Sequence, residues 1–370
     1  MKQEKTNEKN EAKTGVTTGS LATAAALASL LKITTNKNIE IVEIKTPTKK
    51  LNINIKTTKL IKENKATSSC IKYPYSDPDV TVGLDIVATA ELKDKTPNQK
   101  NKVRIKGGKG VGIITKPGLQ IPIGQAAINP VPRKMIITNL EKHVPENKIA
   151  EITISIPQGE EIANKTMNPR LGIKDGISIL GTTGIAKAMD DDAYKNSIVK
   201  QIDVAKAEKI ENLVFVPGNI GEKLALKKLK VKKEQIIQTG NYIGFMFEEA
   251  EKREISEFTF FGHIGKLVKV AGGIFNTKHA IADGRCEIFA AHSALIGCKQ
   301  DTIKKIFESK TTEEIITIIK NENIDEEVLN SIATAIKNKC LDKFNLKLDV
   351  ILVDMEGNIL NSNHTNILIK

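Results

Sequence analysis

Alternating hydrophobic and polar positions dominate the first half of the chain from Ile39 onward. The segments IEIVEIKT, LNINIKTTKL, LDIVATAEL, KVRIK and EITISI alternate with a period near two, which predicts β-strands. An Ala-rich segment at 21–31 follows the start signal Gly19-Ser20 and predicts a helix. The Gly- and Pro-rich segment 107–133 predicts loops with short strands. Several strands with few helices indicate an α+β domain.

In the second half, a strand, a Gly-rich turn and a helix follow one another three times. The strands are LVFVP, QIIQT and FTFF, and the turns are GNIG, GNYIG and GHIG. This repeat predicts parallel strands joined by helices, with each turn at the carboxyl end of its strand, where open α/β sheets bind ligands. The need for glycine in any tight turn is the alternative explanation. Further helices are predicted at 286–296, 302–308, 312–320 and 326–344, and a last strand at 348–354.

The change of pattern predicts three regions. They are a disordered polar tail at 1–13, an α+β domain at 14–205, and an α/β, Rossmann-like domain with a largely parallel sheet at 206–370. The tail lacks the apolar core of a secretion signal, and the longest apolar run is too short to cross a bilayer. Four cysteines without a CxxC pair favour reduced thiols over a zinc site or a disulfide framework. These features predict a cytoplasmic protein with no membrane contact and no bound metal.

Charge distinguishes the two halves. Lysine and arginine number 56 against 44 acidic residues, a net charge of +12. Residues 1–210 hold 34 basic and 22 acidic side chains, whereas 211–370 hold 22 of each. A basic half favours a nucleic acid, an anionic membrane or a polyanionic small molecule. The lack of Trp, the 4% aromatic content and the neutral second half argue against a nucleic-acid-binding protein.

The segment TGVTTGSLATAAA places glycines and hydroxyls directly before a predicted helix. Backbone N–H groups at a helix start, together with the hydroxyls of Thr17, Thr18 and Ser20, form a cradle for an anion. An ordinary cap on a tightly packed helix is the structural alternative. The same segment is similar to the phosphate loop of small-molecule kinases of the galactokinase–homoserine kinase type. That second function leaves the βα turns of the other half unexplained.

Other candidate residues lie in rigid turns. Arg133 in NPVPRK and Arg170 in NPRLG are two of only five arginines. Each is expected to present a fixed guanidinium fork to a carboxylate; the alternative is that it belongs to a purely structural turn. Asp77 and Asp79 in SDPDVT are candidates for binding a metal, a ribose or an ammonium group. The alternative is a solvated turn without a ligand. Lys109 lies in GGKGVG, a Gly-rich turn that is weak evidence on its own because no helix follows it.

The densest polar and Gly-rich stretch is FGHIGKLVKVAGGIFNTKHAIADGRCE at 261–287. His263 directly follows a predicted parallel strand, a common place for catalytic groups, although a structural histidine fits equally well. His279 and His292 have no spacing to other ligands that would specify a metal site.

Six blocks together carry a resemblance to a known family. They are TGVTTGS, SDPDVT, GGKGVGIITKPGLQIPIGQAAINPVPRKMI, IPQGEEIANKTMNPRLGIKDGISILGTTGI, VFVPGNIGE and GHIGKLVKVAGGIFNTKHAIADGRCEI. On these blocks the chain resembles the CbiD family from about Thr14 onward, except at about 300–345. The resemblance implies methylation of C1 of cobalt-precorrin-5B to give cobalt-precorrin-6A in anaerobic cobalamin biosynthesis, with S-adenosylmethionine as the methyl donor. It also implies an α+β domain followed by an α/β domain.

Three positions depart from the family's pattern. GSL stands at 19–21, where the family has TGT followed by a cysteine, so a cysteine nucleophile is absent there. Ser76 replaces an aspartate of the acidic turn, and TKH at 277–279 replaces threonine, histidine and serine. The family's histidine position therefore holds a lysine here.

The implied reaction suggests how the two halves share the work. A corrinoid precursor with many acetate and propionate arms suits the basic domain at 14–205, whereas a sulfonium donor suits the neutral turns at 211–290. The residues expected to bind the substrate are Thr17, Thr18, Ser20, Lys109, Arg133, Arg170 and Arg285. The residues expected at the donor site are Asp77, Asp79, Gly218, Asn219, Gly240, Asn241 and Gly262. Proton removal, where the chemistry needs it, is assigned to His263 or Asp283, and hand-over of the substrate from another enzyme of the pathway stays open.

Overall fold

A computed structural model of the chain describes residues 14–76, 79–96, 101–187, 191–365 and 368–370. The predicted tail at 1–13 lies outside the described residues. The chain divides into two compact units between Tyr194 and Lys195. The sequence placed this boundary later, at 205/206, near the end of the helix at Asp191–Ala207. In the structure most of that helix belongs to the second unit, where Lys206 Nζ donates to the Arg253 carbonyl at 2.6 Å.

Among its described residues, the first unit contains strands of two to ten residues and three α-helices. Its helices are α1 (Thr18–Thr35), α2 (Pro130–Leu140) and α3 (Gly159–Ala163), with a 3₁₀ turn at Glu141–His143. Its strands are β1 (Thr14–Val16), β2 (Ile41–Lys45), β3 (Lys50–Asn54), β4 (Thr57–Lys62), β5 (Lys65–Ile71), β6 (Asp85–Asp94), β7 (Val103–Gly107), β8 (Gly110–Val111), β9 (Ile113–Ile114), β10 (Lys148–Ser155), β11 (Ile173–Lys174), β12 (Gly176–Ile177) and β13 (Ile185–Lys187).

The core of the first unit lies between α1 and a five-stranded sheet. The strand order is β4-β5-β6-β10-β7, antiparallel except for the parallel pair β10–β7. Because alanines cover much of α1, the helix lies close to the sheet, and Ser29 Oγ donates to the Ala88 carbonyl at 2.9 Å. The helix is longer than the predicted 21–31. It begins at the hydroxyl segment and ends with Asn36 in the left-handed conformation.

Helix α2 corrects the prediction of loops and short strands at 107–133. The last residues of that segment, from Pro130, form the first turn of the helix. Proline is compatible with this position because its missing N–H has no partner in the first turn of a helix. Arg133 therefore lies on a helix rather than in a turn.

The second unit is built around four strands and a larger number of helices. Helix α4 (Asp191–Ala207) leads into it, and a 3₁₀ turn lies at Lys233–Gln235. The other elements are β14 (Val214–Val216), α5 (Gly218–Lys228), β15 (Ile236–Gln238), α6 (Ile243–Glu251), β16 (Glu257–His263), α7 (Ile264–Ala271), α8 (Arg285–Leu295), α9 (Gln300–Glu308), α10 (Thr312–Asn321), α11 (Asp325–Phe344) and β17 (Lys347–Val353).

The four strands form one sheet in the order β15-β14-β16-β17. All three neighbouring pairs are parallel, as the repeat predicts. Helices α7 to α11 separate β16 from β17 in the chain, yet the two strands pair over seven residues. The rings of Phe215, Phe247, Phe258 and Phe260 pack together in the core. The chain is therefore a mixed α/β protein. Within the described ranges, no helix is long and apolar enough to cross a membrane.

Candidate functional site

Three of the parallel strands end at residues that the sequence singled out. Gly218 and Asn219 follow β14, Gly240 and Asn241 follow β15, and β16 ends on His263. Because β15 and β16 lie on opposite sides of β14, the direction in which strands are added reverses at β14. In open α/β sheets a crevice forms at the carboxyl ends of the strands at such a reversal, and ligands bind in it. We name these turns the carboxyl edge; it comprises residues 217–219, 239–242 and 263–266.

Side chains connect the turn after β14 with the end of β15. Asn219 Oδ1 accepts a hydrogen bond from Gln238 Nε2 at 2.8 Å, and the same amide group donates to the Glu222 carboxylate. Gln238 and Glu222 are buried. Gly218 has a φ of +84°, which residues with a Cβ rarely adopt. Gly218 therefore acts through the backbone turn, and Asn219 is held in place by the neighbouring strand.

Asn241 connects the turn after β15 with helix α7. Its Oδ1 accepts hydrogen bonds from Lys266 Nζ at 3.0 Å and from Thr277 Oγ1 at 3.4 Å. The backbone of Asn241 also pairs with Thr277, whose N–H donates at 3.0 Å. Gly240 before it has a φ of +59°. The sequence predicted Asn241 at this edge, but it did not single out Lys266.

His263 caps the start of helix α7. Its Nδ1 accepts a hydrogen bond from the Gly265 N–H at 3.2 Å, so the neutral ring is assigned a proton on Nε2. An added Cβ at Gly262 would lie 2.8 Å from Pro217 Cδ. Glycine at 262 therefore allows β16 to pass close to the turn after β14. His263 is thereby brought to the strand reversal.

Two acidic side chains, Glu313 on α10 and Asp354 after β17, influence His263. Its Nε2 is buried and lies 3.0 Å from Glu313 Oε1 on α10. Burial lowers the pKa of His263, while the charges of Glu313 and Asp354 oppose this shift. The ring is therefore neutral near pH 7. A role as general base requires the hydrogen bond from Gly265 to break, because that bond occupies the basic nitrogen.

Asp283 and Arg285 form a bidentate pair. Arg285 Nε and NH2 each donate to the Asp283 carboxylate at 2.7 Å. The guanidinium lowers the pKa of Asp283 to about 2. His279 Nδ1 lies 3.2 Å from the same carboxylate. This pairing argues against Asp283 as a proton acceptor, and it also occupies Arg285, which the sequence assigned to the substrate.

Three hydroxyls of the TGVTTGS segment are hydrogen-bonded inside the first unit. Thr17 Oγ1 accepts from the Ser20 N–H at 3.2 Å, and Thr18 Oγ1 accepts from the Leu180 N–H at 2.9 Å. Ser20 Oγ donates to the Gly184 carbonyl at 2.7 Å. All three side chains are buried. The geometry favours the capped, tightly packed helix over the anion cradle, and it gives no support to the kinase alternative.

Asp79 belongs to a buried polar cluster. Its carboxylate accepts hydrogen bonds from Lys72 Nζ, from Tyr75 OH at 3.0 Å and from the N–H and hydroxyl of Thr81. Lys72 is 5% exposed. Burial raises the pKa of Asp79, but the hydrogen bonds and charge of Lys72 and Thr81 outweigh it and hold the pKa at about 2. Asp79 therefore neutralises Lys72, and Asp77 lies outside the described residues.

The basic residues assigned to the substrate have different surroundings. Arg133 is partly buried and donates from Nε to the Ile128 carbonyl at 2.8 Å and from NH2 to the Ala126 carbonyl at 3.3 Å. Burial lowers the pKa of Arg133 and also of Arg170. Lys109 is exposed in the Gly-rich turn after β7. Arg133 thus supports its own loop with part of its guanidinium, whereas Lys109 is accessible.

Close packing of glycines explains the Gly-rich blocks around Lys109. An added Cβ at Gly110 would lie 1.8 Å from the Ile156 carbonyl oxygen, and one at Gly159 would lie 2.0 Å from the Gly110 oxygen. Backbone therefore lies against backbone where the blocks at 107–112 and 157–176 meet. Across the described ranges, no cluster of three or more His, Cys, Asp or Glu residues is arranged to hold a metal. Cys70, Cys286, Cys298 and Cys340 are free.

Comparisons with known proteins show which family this chain resembles. A sequence model described as CbiD matches residues 5–188, and one described as the CbiD C-terminal domain matches 276–364. Proteins named cobalt-precorrin-5B C(1)-methyltransferase are 61% identical in Methanobrevibacter smithii, 48% in Methanosphaera stadtmanae and 44% in Methanocaldococcus jannaschii. The alignments cover 97%, 97% and 96% of this chain and 99%, 93% and 97% of those proteins.

One solved structure also matches. It is the 1.9 Å crystal structure of a cobalamin biosynthesis protein (cbiD) from Archaeoglobus fulgidus, with 28% identity and a TM-score of 0.38 over 70% of this chain and 79% of that one. At this TM-score the likeness supports no structural conclusion.

Sequence reasoning missed Lys266 and Glu313. Glu313 lies at 300–345, which the sequence placed outside the resemblance, but the C-terminal family match at 276–364 includes this stretch. Its proximity to His263 depends on how α10 packs against the start of α7, where an added Cβ at Gly265 would lie 2.9 Å from Thr312 Oγ1. No spacing pattern in the sequence indicates this contact. Lys266 could have been noticed because it lies three residues after His263 in the same block.

Proposed function

This chain belongs to the CbiD family, and on that premise we propose that it transfers a methyl group from S-adenosylmethionine to C1 of cobalt-precorrin-5B in cobalamin biosynthesis. The observation that carries the proposal is the 61% identity, over almost the full length of both chains, to a protein named for this reaction. The absence of the family's cysteine at 19–21 is compatible with direct transfer, because displacement at a sulfonium needs no covalent enzyme intermediate.

We place the donor at the carboxyl edge of a Rossmann-like second unit. Supporting this are the parallel strands, the reversal at β14 and the hydrogen bonds that fix Asn219 and Asn241. The methyl group moves to the nucleophilic ring carbon while its bonding electrons stay on sulfur. The task of the protein is then to align the two molecules and exclude water. Where a proton must leave C1, His263 is the candidate acceptor in preference to Asp283.

We place the corrinoid precursor on the first unit. Divided at the observed boundary, the first unit has 30 basic and 20 acidic residues, and the second has 26 and 24. The carboxylate arms of the acceptor fit this excess of positive charge. Lys109, Arg133 and Arg170 remain the proposed contacts. They lie in the two blocks whose glycines pack backbone against backbone.

The proposal is tested with the full-length protein. Thermal unfolding is measured with S-adenosylhomocysteine, with ATP and Mg²⁺, and with duplex DNA, and methyl transfer is followed with labelled donor and cobalt-precorrin-5B. We expect stabilisation by S-adenosylhomocysteine alone, by about 2.7 kcal/mol at 100 times its Kd, and label on the acceptor. Stabilisation by ATP with Mg²⁺ and no transfer of label would contradict the proposal.

A further inference from the structure

Lys266 bridges two turns of the carboxyl edge. It lies in the first turn of α7, directly after β16, and its Nζ donates to Asn241 Oδ1 after β15 at 3.0 Å. In the sheet, β14 separates β15 from β16. The ammonium group therefore reaches across the carboxyl end of β14, where the order of the strands reverses. This is where a ligand of an open α/β sheet binds.

The charge of Lys266 has no neutralising partner in the described part of the chain. No carboxylate there lies within 4.0 Å of its Nζ, and its bonded partner, the Asn241 amide, is neutral. The side chain is partly buried, and burial together with the nearby charge of Lys269 lowers its pKa. A partly buried cation without an anion is unfavourable. The site is therefore more stable with a bound anion than without one.

The other charged groups in the neighbourhood are already engaged. Lys269, one turn further along α7, is buried and donates to the Ala282 carbonyl at 2.8 Å, with Asp283 at 3.9 Å. Asp283 is itself held by the bidentate contact with Arg285. Of these cations, Lys266 is thus the one that bridges two turns of the carboxyl edge and has no carboxylate of the described residues within 4.0 Å.

We propose that Lys266 binds a ligand carboxylate, namely the α-carboxylate of the amino-acid part of the methyl donor, and that Asn241 orients the ammonium group. This rests on the proposed function, because the donor is the small ligand expected at this edge. The chemistry fits, since a lysine is a point-charge donor that forms charge-assisted hydrogen bonds to a carboxylate. The arms of the acceptor also carry carboxylates, so the experiment must separate the two sources.

The test uses full-length Lys266→Met, which keeps the length of the side chain and removes its charge. Binding of S-adenosylhomocysteine is compared with binding of its decarboxylated analogue, S-adenosyl-3-thiopropylamine, by calorimetry. We expect the variant to bind S-adenosylhomocysteine about 10- to 100-fold more weakly and the analogue as tightly as the unmodified protein does. Lys227→Met, an exposed lysine on α5, is the matched control and should leave both affinities unchanged.

Each other outcome overturns the proposal in a distinct way. Equal weakening of both ligands would show a structural role, and unchanged affinity for both would show that Lys266 does not contact the donor. A raised KM for the acceptor with normal binding of S-adenosylhomocysteine would assign the carboxylate to the acceptor. If the unmodified protein bound neither ligand and transferred no methyl group, the proposed function itself would fail, independently of Lys266.

Discussion

Two ion pairs in the first unit differ mainly in their burial. The Lys72 and Asp79 side chains are 6% and 18% exposed, whereas those of Lys50 and Glu43 are 68% and 54% exposed. Solvent screens the exposed pair, so its contribution to stability is small. Removing one partner of the buried pair leaves a charge without an anion. Asp79 is therefore expected to contribute more to stability than Glu43 does.

We expect Asp79→Asn to lower the free energy of unfolding by about 3 kcal/mol at pH 7. Because the folded-state pKa of Asp79, about 2, is below its ordinary value of 3.8, its stabilising effect is complete above about pH 5 and is lost as the pH falls from there toward 2. In urea unfolding, the difference in free energy of unfolding between the unmodified protein and Asp79→Asn should therefore be smaller at pH 3 than at pH 7, by about 1 kcal/mol. Glu43→Gln should change stability by less than about 0.5 kcal/mol. An equally large loss in both variants would contradict this account.

His263 combines a structural and a proposed chemical role, and two substitutions separate them. Asparagine is a good cap residue, so His263→Asn should retain stability, whereas His263→Ala should lose about 1 kcal/mol. If the imidazole accepts a proton during methyl transfer, both variants should lower turnover by about 100-fold. Thermal unfolding and turnover are measured for each. Normal turnover of His263→Asn would leave the histidine only its capping role.

At the scale of elements, the pattern of side chains predicted regular segments well and irregular ones poorly. The three strand, turn and helix repeats were found with ends shifted by a few residues, because period and glycine turns mark them directly. Helix α2 was not predicted, because the prolines in its first turn also fit a loop. Its helical state depends on buried residues such as Ile136, whose partners are distant in the chain.

Glycine packing between elements gives a prediction at this scale. Gly110 and Gly124 have φ values of +71° and +82°, but only at Gly110 would a Cβ meet neighbouring atoms within 4 Å. Gly124→Ala should therefore cost about 1 kcal/mol from the backbone alone. Gly110→Ala should cost about 3 kcal/mol more, because the carbonyl of Ile156 must move. The midpoints of urea unfolding measure the loss of stability in each variant. Equal losses for Gly110→Ala and Gly124→Ala would show that the blocks at 107–112 and 157–176 separate easily.

At the scale of the whole molecule, positive charge is concentrated in the first unit. If that unit binds the carboxylate arms, the KM of the acceptor should rise several-fold when the salt concentration increases from 50 to 300 mM, as screening shortens the range of the attraction. The KM of the donor should change by less than about twofold, since its proposed site is small and partly buried. Steady-state kinetics with each substrate varied in turn measures both. A larger salt effect on the donor would reverse the assignment of the two units.

The whole site was less predictable than its parts. The turns containing Asn219, Asn241 and His263 were visible because parallel strands place their following turns on one edge. The environment of His263 could not be predicted from the sequence. Glu313 comes close to His263 only after helices α7 to α10 have folded back toward the sheet. The buried partners of Thr18 and Ser20 at 180–184 were hidden for the same reason. Distances between segments far apart in the chain decide whether a polar residue is available to a ligand.

The position of helices α7 to α11 between two paired strands has a consequence for synthesis on the ribosome. Strand β16 pairs with β17 from Glu257↔Lys347 to His263↔Val353, so its partner is translated long after β16 itself. Until then the growing chain carries β16 with an open hydrogen-bonding edge, which attracts other extended chains. Closing so long a loop also slows folding. We therefore expect nascent chains arrested before residue 347 to associate with chaperones, and release of that association once β17 has emerged.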